Sequence, residues 1–285
     1  MFNKINFCKV CNSQKYTNLL NKAYDSDEME LFLKRYYPPN KYDEIMSYVK
    51  EFQYILLKCN KCSFIWQENQ PTRDLQDKLY NEWISFDLSL NKSKKINNQI
   101  FYKEILNIID KPKKEMNILD FGAGAGSFSK FSKLNEFNIF ALESSSERIN
   151  YLKQHNIKIV NYNNYENYYN FFDFIYVNQV IEHLTDLKEF FKLINYVSKK
   201  ECKIYISVPT AKTTNIKISK GPYQPLEHVN SFNNTNLTLL FKNNDFKKIN
   251  FLYFVRLFLK KKISFFFFFK RIIHQYFTTS IFFSK

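Results

Sequence analysis

Residues 118–126 read Ile-Leu-Asp-Phe-Gly-Ala-Gly-Ala-Gly and hold three of the only four glycines in the 285-residue chain. Average glycine usage would give about 20 glycines in a chain of this length. An apolar run leads into the stretch, and the helical spacing of Ser127, Phe128, Phe131 and Leu134 leads out of it. A strand, a glycine turn and a helix in this order let backbone approach a nucleotide-like ligand. The stretch therefore predicts a binding turn at which a side chain would occupy the ligand's space.

Strands and helices alternate after this point. The pattern predicts strands at 116–121, 138–143, 157–160, 172–177 and 202–208, with helices near 127–136, 145–155 and 186–198. Such alternation is typical of an α/β domain with a parallel, Rossmann-like sheet and helices on both faces. Ligands in such folds bind at the carboxyl ends of the strands. The glycine turn, Glu143, Asn178 and Pro209 all fall at such ends.

Glu143 ends the strand that follows the glycine turn, 17 residues after Gly126. A carboxylate at that place accepts hydrogen bonds from ribose hydroxyls. The alternative is an ordinary carboxylate that caps the next helix. A glycine turn alone also admits a nicotinamide cofactor, but the spacing here is GxGxG rather than GxGxxG, and no other dehydrogenase motif is present.

Four of the five cysteines form two CxxC pairs, Cys8 with Cys11 and Cys59 with Cys62. Two such pairs supply four thiolates for a tetrahedral zinc site. The 47 residues between the pairs exceed the gap of a minimal zinc ribbon. The alternative is two unrelated pairs packed as small apolar residues. Cys202 lies in a predicted buried strand and is expected to be a core residue.

The remaining pattern indicates three segments. Residues 1–75 form the predicted zinc-binding module, with helical character at 25–52 and a break at Pro38-Pro39. Residues 76–258 form the α/β domain, which two helices precede, one carrying Leu75, Leu79 and Trp83 and one spanning Ile96 to Ile109. Residues 259–285 form a basic, Phe-rich tail.

Five longer motifs resemble those of a known enzyme class. LDFGAGAGSF (119–128), ALES (141–144) and VNQVIEHLTDLKEFF (177–191) resemble successive motifs of class I S-adenosylmethionine-dependent methyltransferases, as do ISVPT (206–210) and PLEHVNSFN (225–233). The paired cysteines ahead of such a domain resemble the sugar C-methyltransferases of deoxysugar and surface-glycan pathways. The resemblance covers roughly residues 5–250.

The resemblance implies two cofactors. It implies a structural zinc ion on Cys8, Cys11, Cys59 and Cys62. It also implies S-adenosylmethionine, bound by a set of residues at the carboxyl edge of the sheet: Asp120, Gly122, Gly124, Gly126, Glu143, Asn178 and Gln179.

It further implies that a Glu-His pair contributes to the reacting centre, and here that pair is Glu227-His228. A base with a pKa near neutrality suits removal of the acceptor's proton, so His228 is the preferred base and His183 the alternative. The family places a tyrosine two residues before the glutamate, where this chain has Pro225; Tyr223 is a candidate substitute. Tyr80 corresponds to another family tyrosine. His155 and His274 are expected at the surface.

The C-terminal segment is strongly basic. Residues 240–285 carry ten Lys or Arg against Asp245 alone, which is +9 of the chain's net charge of +15. Basic residues among aromatics bind anionic membrane surfaces or nucleic acid. The plainest interpretation is a final strand near 249–258 followed by a partly disordered end. Membrane-surface contact is the second interpretation, and nucleic acid is disfavoured.

The sequence therefore predicts a methyltransferase that acts on a nucleotide-linked sugar or a surface-glycan precursor. Methylation of RNA or protein, or a non-catalytic zinc-ribbon binding protein, are the alternatives. No signal segment or long apolar run is evident, so the expected location is cytoplasmic, with possible contact to a membrane surface.

Overall fold

The computed structural model describes residues 1–87, 90–91, 98–109, 112–212, 214, 216–218, 221–265, 267–268 and 278–285. The strands are β1 (Phe2–Lys4), β2 (Tyr16–Ala23), β3 (Gln53–Cys59), β4 (Ile65–Gln67), β5 (Asn69–Pro71), β6 (Asn117–Phe121), β7 (Asn138–Leu142), β8 (Lys158–Val160), β9 (Phe172–Asn178), β10 (Ser198–Pro209), β11 (Asn230–Ser231), β12 (Lys247–Lys248) and β13 (Thr278–Ser284).

The helices are α1 (Asp27–Tyr36), α2 (Tyr42–Val49), α3 (Arg73–Lys78), α4 (Gln99–Leu106), α5 (Ser127–Leu134), α6 (Ser146–Gln154), α7 (Leu187–Val197), α8 (Asn234–Lys242) and α9 (Phe251–Leu259). A π-helical turn, Leu79–Trp83, continues α3. Short 3-10 turns occupy Pro39–Lys41, Lys113–Glu115 and Tyr165–Tyr168.

The largest sheet has seven strands in the order β12-β13-β10-β9-β6-β7-β8. The pairs β10–β9, β9–β6, β6–β7 and β7–β8 are all parallel. The prediction of a Rossmann-like α/β sheet is therefore confirmed. All five predicted strands and all three predicted helices of this region are present, with ends shifted by a few residues.

The prediction of a final strand at 249–258 is wrong, because those residues form α9. Aromatic and β-branched residues favoured a strand. However, the Asn250 side chain accepts a hydrogen bond from the Tyr253 amide, as a helix N-cap does. Phe254 and Leu257, one helical turn apart, are buried. The last strand is β13, where Phe282 and Phe283 are fully buried, so the described end of the chain is ordered within the sheet.

The described chain divides into two compact units. The sheet unit comprises Phe86–Val180, Lys188–Ser207 and Phe241–Lys285. Its core is unusually aromatic: Phe128 stacks on Tyr176 with ring centroids 4.0 Å apart, and Tyr176 stacks on Tyr205 at 5.3 Å. Stacked rings of this kind contribute stability beyond the area that they bury.

The cysteine unit comprises Met1–Ser85, Ile181–Leu187 and Val208–Leu240. It contains a four-stranded antiparallel sheet in the order β11-β4-β3-β2 and the small β1–β5 pair. The helical character predicted at 25–52 appears as α1 and α2, and the break at Pro38-Pro39 is confirmed. This unit is not continuous in sequence, and only its segment 1–85 overlaps the predicted zinc module.

The C-terminal region is described in part. Phe267 is buried, whereas Phe265 is exposed. Lys270, Arg271 and Phe277 of the basic, Phe-rich tail lie outside the described residues. So do His274, which was predicted at the surface, and Ile96, at the start of the second predicted helix. Among the described helices, none combines the length and apolar character needed to cross a bilayer.

Candidate functional site

The glycine turn links β6 to α5 through left-handed backbone. Gly122, Gly124 and Gly126 have φ values of +70°, +55° and +66°. The amide of Gly122 donates to the Leu142 carbonyl at 2.8 Å, which ties the turn to the end of β7. Gly126 precedes α5 directly, so its conformation sets where that helix begins. The predicted strand, turn and helix are confirmed.

The three glycines are needed for different reasons. A Cβ at Gly122 would lie 2.5 Å from Cγ2 of Val180, and one at Gly126 would lie 2.4 Å from Cδ2 of Leu152. Those two positions therefore require glycine for packing. A Cβ at Gly124 would meet no heavy atom within 4 Å. Gly124 is thus the position at which open space lies beside the backbone, as a ligand requires.

Asp120 lies at the end of β6 and is 3% exposed. The Ser129 hydroxyl donates to its Oδ2 at 2.6 Å. Burial raises the pKa of Asp120 to about 7, and the Ser129 hydrogen bonds act in the opposite direction. The carboxylate is therefore held in place beside the turn, and its charge is sensitive to pH near neutrality.

Glu143 joins the glycine turn to the start of α6. Its Oε2 accepts from the Gly124 amide at 2.8 Å, and its Oε1 accepts from the amides of Ser144 and Ser145 at 2.9 and 3.1 Å. The second set of contacts matches the capping role that was the alternative interpretation. The first set brings this carboxylate to the one glycine of the turn that faces open space.

Asn178 and Gln179 follow at the end of β9. Asn178 is half-buried and Gln179 is exposed. Gln179 has a φ of +57°, and its amide donates to the Ser207 carbonyl at 2.8 Å. The structure therefore places all seven sequence-predicted cofactor residues in the sheet unit, at the carboxyl ends of β6, β7 and β9.

The four paired cysteines converge in the other unit. The Sγ atoms of Cys8 and Cys62 are 3.5 Å apart, and so are those of Cys11 and Cys59. All four sulfur atoms lie within 4.8 Å of one another. The pairing crosses between the two CxxC motifs, as it does when both motifs face one centre. Cys202, by contrast, is fully buried in β10, as expected.

A second cluster in the cysteine unit holds the predicted catalytic residues. Nδ1 of His183 lies 2.8 Å from the Tyr80 hydroxyl and 3.0 Å from the Glu227 carbonyl oxygen. The rings of His183 and His228 meet edge to face, with centroids 4.7 Å apart. His183 is half-buried, whereas His228 is 7% exposed. The structure thus brings Tyr80, His183, Glu227 and His228 together.

A tyrosine that the sequence did not point to holds Glu227. The Tyr37 hydroxyl, at the end of α1, donates to Glu227 Oε1 at 3.0 Å, and the Gln224 side chain donates to the same oxygen. The Tyr223 hydroxyl donates instead to the backbone carbonyl of Lys212. Tyr37 therefore supplies a tyrosine hydroxyl to the Glu227 carboxylate, whereas the hydroxyl of Tyr223, the candidate substitute for the family tyrosine, bonds to Lys212. Tyr37 and Glu227 are 190 positions apart in the sequence, which leaves no local signal for this contact.

Glu182 is a further residue of this cluster that sequence reasoning left without a role. It is 1% exposed, and neither carboxylate oxygen bonds to another described residue. Burial raises the pKa of Glu182 to about 8, with only its own amide acting in the opposite direction. The sequence signal that could have pointed to Glu182 was its position in the motif VNQVIEHLTDLKEFF (177–191). His155, in contrast, is exposed as predicted.

Comparisons with known proteins bear on this arrangement. A family model described as a methyltransferase domain matches residues 94–250, which is more than half of the chain. Comparison with curated proteins gives no match.

Several solved structures are similar to this chain at low sequence identity. One is the 1,6-didemethyltoxoflavin-N1-methyltransferase of Burkholderia thailandensis with bound 1,6-didemethyltoxoflavin and S-adenosylhomocysteine; it is 12% identical, with a TM-score of 0.51 over 81% of this chain and 95% of that one. A SAM-dependent methyltransferase from Aquifex aeolicus is 17% identical, with a TM-score of 0.45 over 68% and 97% of the two chains. A putative sarcosine dimethylglycine methyltransferase from Galdieria sulphuraria is 15% identical, with a TM-score of 0.45 over 72% and 89%.

The family match covers the glycine turn, Glu143 and the strands that carry them. The chain therefore belongs to the methyltransferase-domain family and is a methyltransferase.

Proposed function

We propose that the chain methylates a small molecule, and that the acceptor is a nucleotide-linked sugar or a surface-glycan precursor. The observation that carries this proposal is the cluster of Tyr80, His183, Glu227 and His228, which matches the residue types that the sugar C-methyltransferase resemblance implies. The Burkholderia thailandensis enzyme is likewise named for the methylation of a small molecule.

Bound S-adenosylmethionine supplies a methyl group on a sulfonium, with a neutral thioether as leaving group. We assign its binding to the glycine turn, where Gly124 leaves open space and Glu143 lies beside it. Asp120, Asn178 and Gln179 complete the assigned set. In this assignment the Glu143 carboxylate accepts hydrogen bonds from the ribose hydroxyls, either in place of its hydrogen bond from the Gly124 amide or in addition to it.

The chain's own residues then have to orient the acceptor and remove its proton. Orientation for in-line attack is the larger part of this task. We assign proton removal to an imidazole nitrogen of His228, because imidazole titrates near neutrality. Tyr37 and Gln224 fix the neighbouring Glu227 carboxylate, so that the pair Glu227-His228 is presented in one orientation.

We also propose that Cys8, Cys11, Cys59 and Cys62 bind one structural zinc ion. Zinc–sulfur bonds of about 2.3 Å place tetrahedral sulfur atoms about 3.8 Å apart. The two sulfur pairs at 3.5 Å are close to that spacing. Four thiolates fill the coordination sphere, so the ion would stabilise this unit rather than take part in the reaction.

The basic C-terminal region suggests peripheral membrane contact. Helix α9 exposes Phe251, Leu252 and Leu259, and the lysines 260–262 follow it directly. Exposed apolar side chains beside cationic ones suit an anionic lipid surface. Co-sedimentation with vesicles that contain anionic lipid, compared with neutral vesicles, tests this contact. Equal binding to both types, or binding to neither, would contradict it.

The acceptor is tested with a panel of nucleotide sugars. Purified protein is incubated with S-adenosylmethionine and each candidate, and the products are analysed by mass spectrometry. We expect one class of nucleotide sugar to gain a single methyl group, and the gain to disappear in the His228→Ala variant. Methylation of RNA or protein substrates, with every sugar unchanged, would overturn the proposal.

A further inference from the structure

A buried glutamine at the end of β4 holds the loop that carries Glu227 and His228. Gln67 is 1% exposed. Its Nε2 donates hydrogen bonds to the backbone carbonyl oxygens of Gln224 and His228, each at 3.0 Å. Its backbone amide donates to the Val229 carbonyl at 3.1 Å. Three carbonyl groups of one loop therefore bond to a single residue, which lies 157 positions before Gln224 in the sequence.

The carboxamide of Gln67 suits this arrangement. Its NH₂ group has two hydrogens to donate, and a carbonyl oxygen only accepts, so Nε2 can bond to both carbonyl groups at once. Within the described chain, Oε1 of Gln67 accepts no hydrogen bond, so the contacts of Nε2 decide how the amide is oriented. A side chain of the same length without an N–H would leave two buried carbonyl groups without this donor, which is costly.

The segment between the two carbonyl groups is a closed turn. The His228 amide donates to the Gln224 carbonyl at 3.1 Å, and Leu226 between them has a left-handed φ of +66°. Gln67 bonds to the first and the last residue of this turn. It therefore fixes both ends, and with them the direction in which the Glu227 and His228 side chains leave the backbone.

A different side chain anchors the turn that carries His183. Nδ2 of Asn230 donates to the carbonyl oxygens of Ile181 and Leu184, at 3.0 and 2.7 Å. These two carbonyl groups lie on either side of His183 in the sequence. Gln67 and Asn230 thus hold the segments of the two histidines through separate sets of backbone contacts.

We propose that Gln67 is a positioning residue that holds the ring of His228 against the ring of His183, where the centroids are 4.7 Å apart. Gln67 bonds to the backbone of His228, so the imidazole keeps the role assigned to it above. Without the two carboxamide hydrogen bonds, the turn from Gln224 to His228 can change its conformation, while Asn230 still holds the turn of His183. Only the consequence for proton removal rests on the proposed function; the consequence for ring geometry does not.

Nuclear magnetic resonance can follow the ring geometry directly, because the chain has only four histidines. The full chain is labelled at its histidine rings, and the signals of His183 and His228 are assigned from His183→Gln and His228→Gln variants. We expect a nuclear Overhauser effect between the two rings in the wild type. In Gln67→Met, which keeps the side-chain length but has no N–H, we expect this effect to be lost and the His228 signals to shift, with those of His155 unchanged.

Gln70→Met is the matched control. Gln70 is also 1% exposed, and its Nε2 also donates to two backbone carbonyl groups, those of Gln67 and Val229, at 3.1 and 3.2 Å. Neither carbonyl belongs to the turn from Gln224 to His228, and the Val229 carbonyl keeps its bond from the Gln67 amide. Gln70→Met should therefore lower the melting temperature but retain the Overhauser effect between the two histidine rings.

Thermal unfolding and calorimetry with S-adenosylhomocysteine show whether each variant is folded. A folded Gln67→Met protein that retains the ring-to-ring effect would overturn the proposal, and so would equal loss of the effect in Gln70→Met. If Gln67→Met does not fold, Gln67→Asn, whose amide is one methylene shorter, is measured with the same two outcomes. Failure of that variant to fold as well would show a role in folding rather than in positioning, and would also overturn the proposal.

The consequence for the reaction is measured separately. With a nucleotide sugar that the wild type methylates, kcat of Gln67→Met should fall toward that of His228→Ala, whereas the affinity for S-adenosylhomocysteine should not change. An unchanged kcat would remove Gln67 from the reaction. A sugar panel without any methylated product would overturn the proposed function but would leave the ring geometry unaffected, so the two proposals fail separately.

Discussion

Replacing Gly124 with alanine separates ligand binding from packing at the glycine turn. A Cβ at this position meets no heavy atom within 4 Å, so the folded chain has room for it. The backbone φ of +55° imposes a left-handed conformation on the alanine. That conformation costs about 1–2 kcal/mol for a residue with a side chain. We therefore expect a folded protein whose melting temperature falls by a few degrees.

The loss of ligand affinity should be a separate effect. If the open space beside Gly124 is where S-adenosylmethionine binds, a methyl group there overpacks the complex, at about 1–3 kcal/mol. That range corresponds to roughly a 5–150-fold weaker dissociation constant. Calorimetry with S-adenosylmethionine and with S-adenosylhomocysteine measures it directly.

Two matched variants control for strain and for packing. Gly221→Ala also places alanine at a positive φ, +144°, with no heavy atom within 4 Å, but in the cysteine unit. It should leave cofactor affinity unchanged. Gly122→Ala, whose Cβ would lie 2.5 Å from Val180, should instead destabilise the sheet unit. A folded Gly124→Ala variant that binds both ligands within about twofold of wild type would refute the assignment of this space.

Four further outcomes are expected. Glu143→Ala should weaken S-adenosylmethionine binding by about 1.5–3 kcal/mol, the range for a hydrogen bond to a charged group; unchanged affinity by calorimetry would remove Glu143 from the cofactor site. Chelation of zinc should unfold the cysteine unit but largely spare cofactor binding, as limited proteolysis and calorimetry can show, and elemental analysis that finds no zinc in protein purified without chelator would contradict the metal assignment. His228→Ala should lower single-turnover rates about 10²–10⁴-fold with little change in cofactor affinity, whereas a rate within about threefold of wild type, or a selective loss in His183→Ala, would move the base role away from His228. Asp120→Asn should change how the free energy of unfolding depends on pH. The pKa of Asp120 is about 7 in the folded chain and 3.8 ordinarily, so the folded wild type binds more protons than the unfolded chain between these values and should lose stability, relative to the variant, as pH rises from about 4 to about 7. The same pH dependence of stability in the two proteins would argue against a raised pKa.

The sheet was predictable because its signals are local. Apolar runs with β-branched residues, separated by helical spacing, specify β6, β7, β9 and β10 without knowledge of distant contacts. The glycine turn was predictable for the same reason, since few other residues adopt its backbone conformation. The two CxxC motifs likewise predict from the sequence alone that their four cysteines lie close together.

The C-terminal elements were less predictable because local propensity and tertiary context disagree there. The segment FLYFVRLFL at 251–259 has strand-like composition but becomes α9, since Asn250 caps it and Phe254 and Leu257 share one buried face. Residues 278–284 form a strand that depends on its neighbours β12 and β10, which are distant in sequence. Propensity is a weak guide where pairing with distant strands decides the outcome.

The contacts within the candidate site were predictable only in part. The motifs pointed to Tyr80, His183, Glu227 and His228 as a group, and the structure brings them together. Tyr37 and Glu182 were not assigned roles, because their contacts depend on how separate segments meet in the folded unit. A resemblance between motifs identifies residue types, but the hydrogen-bond partners that orient them come from the fold.

We have proposed that this methyltransferase acts on a nucleotide-linked sugar or a surface-glycan precursor. The most direct measurement is mass spectrometry of a nucleotide-sugar panel after incubation with the wild-type protein and isotopically labelled S-adenosylmethionine. We expect the label to appear on one sugar as a single methyl group, and His228→Ala to transfer it about 10²–10⁴-fold more slowly while still binding the cofactor. Labelled RNA or protein, with an unlabelled sugar panel, would contradict it.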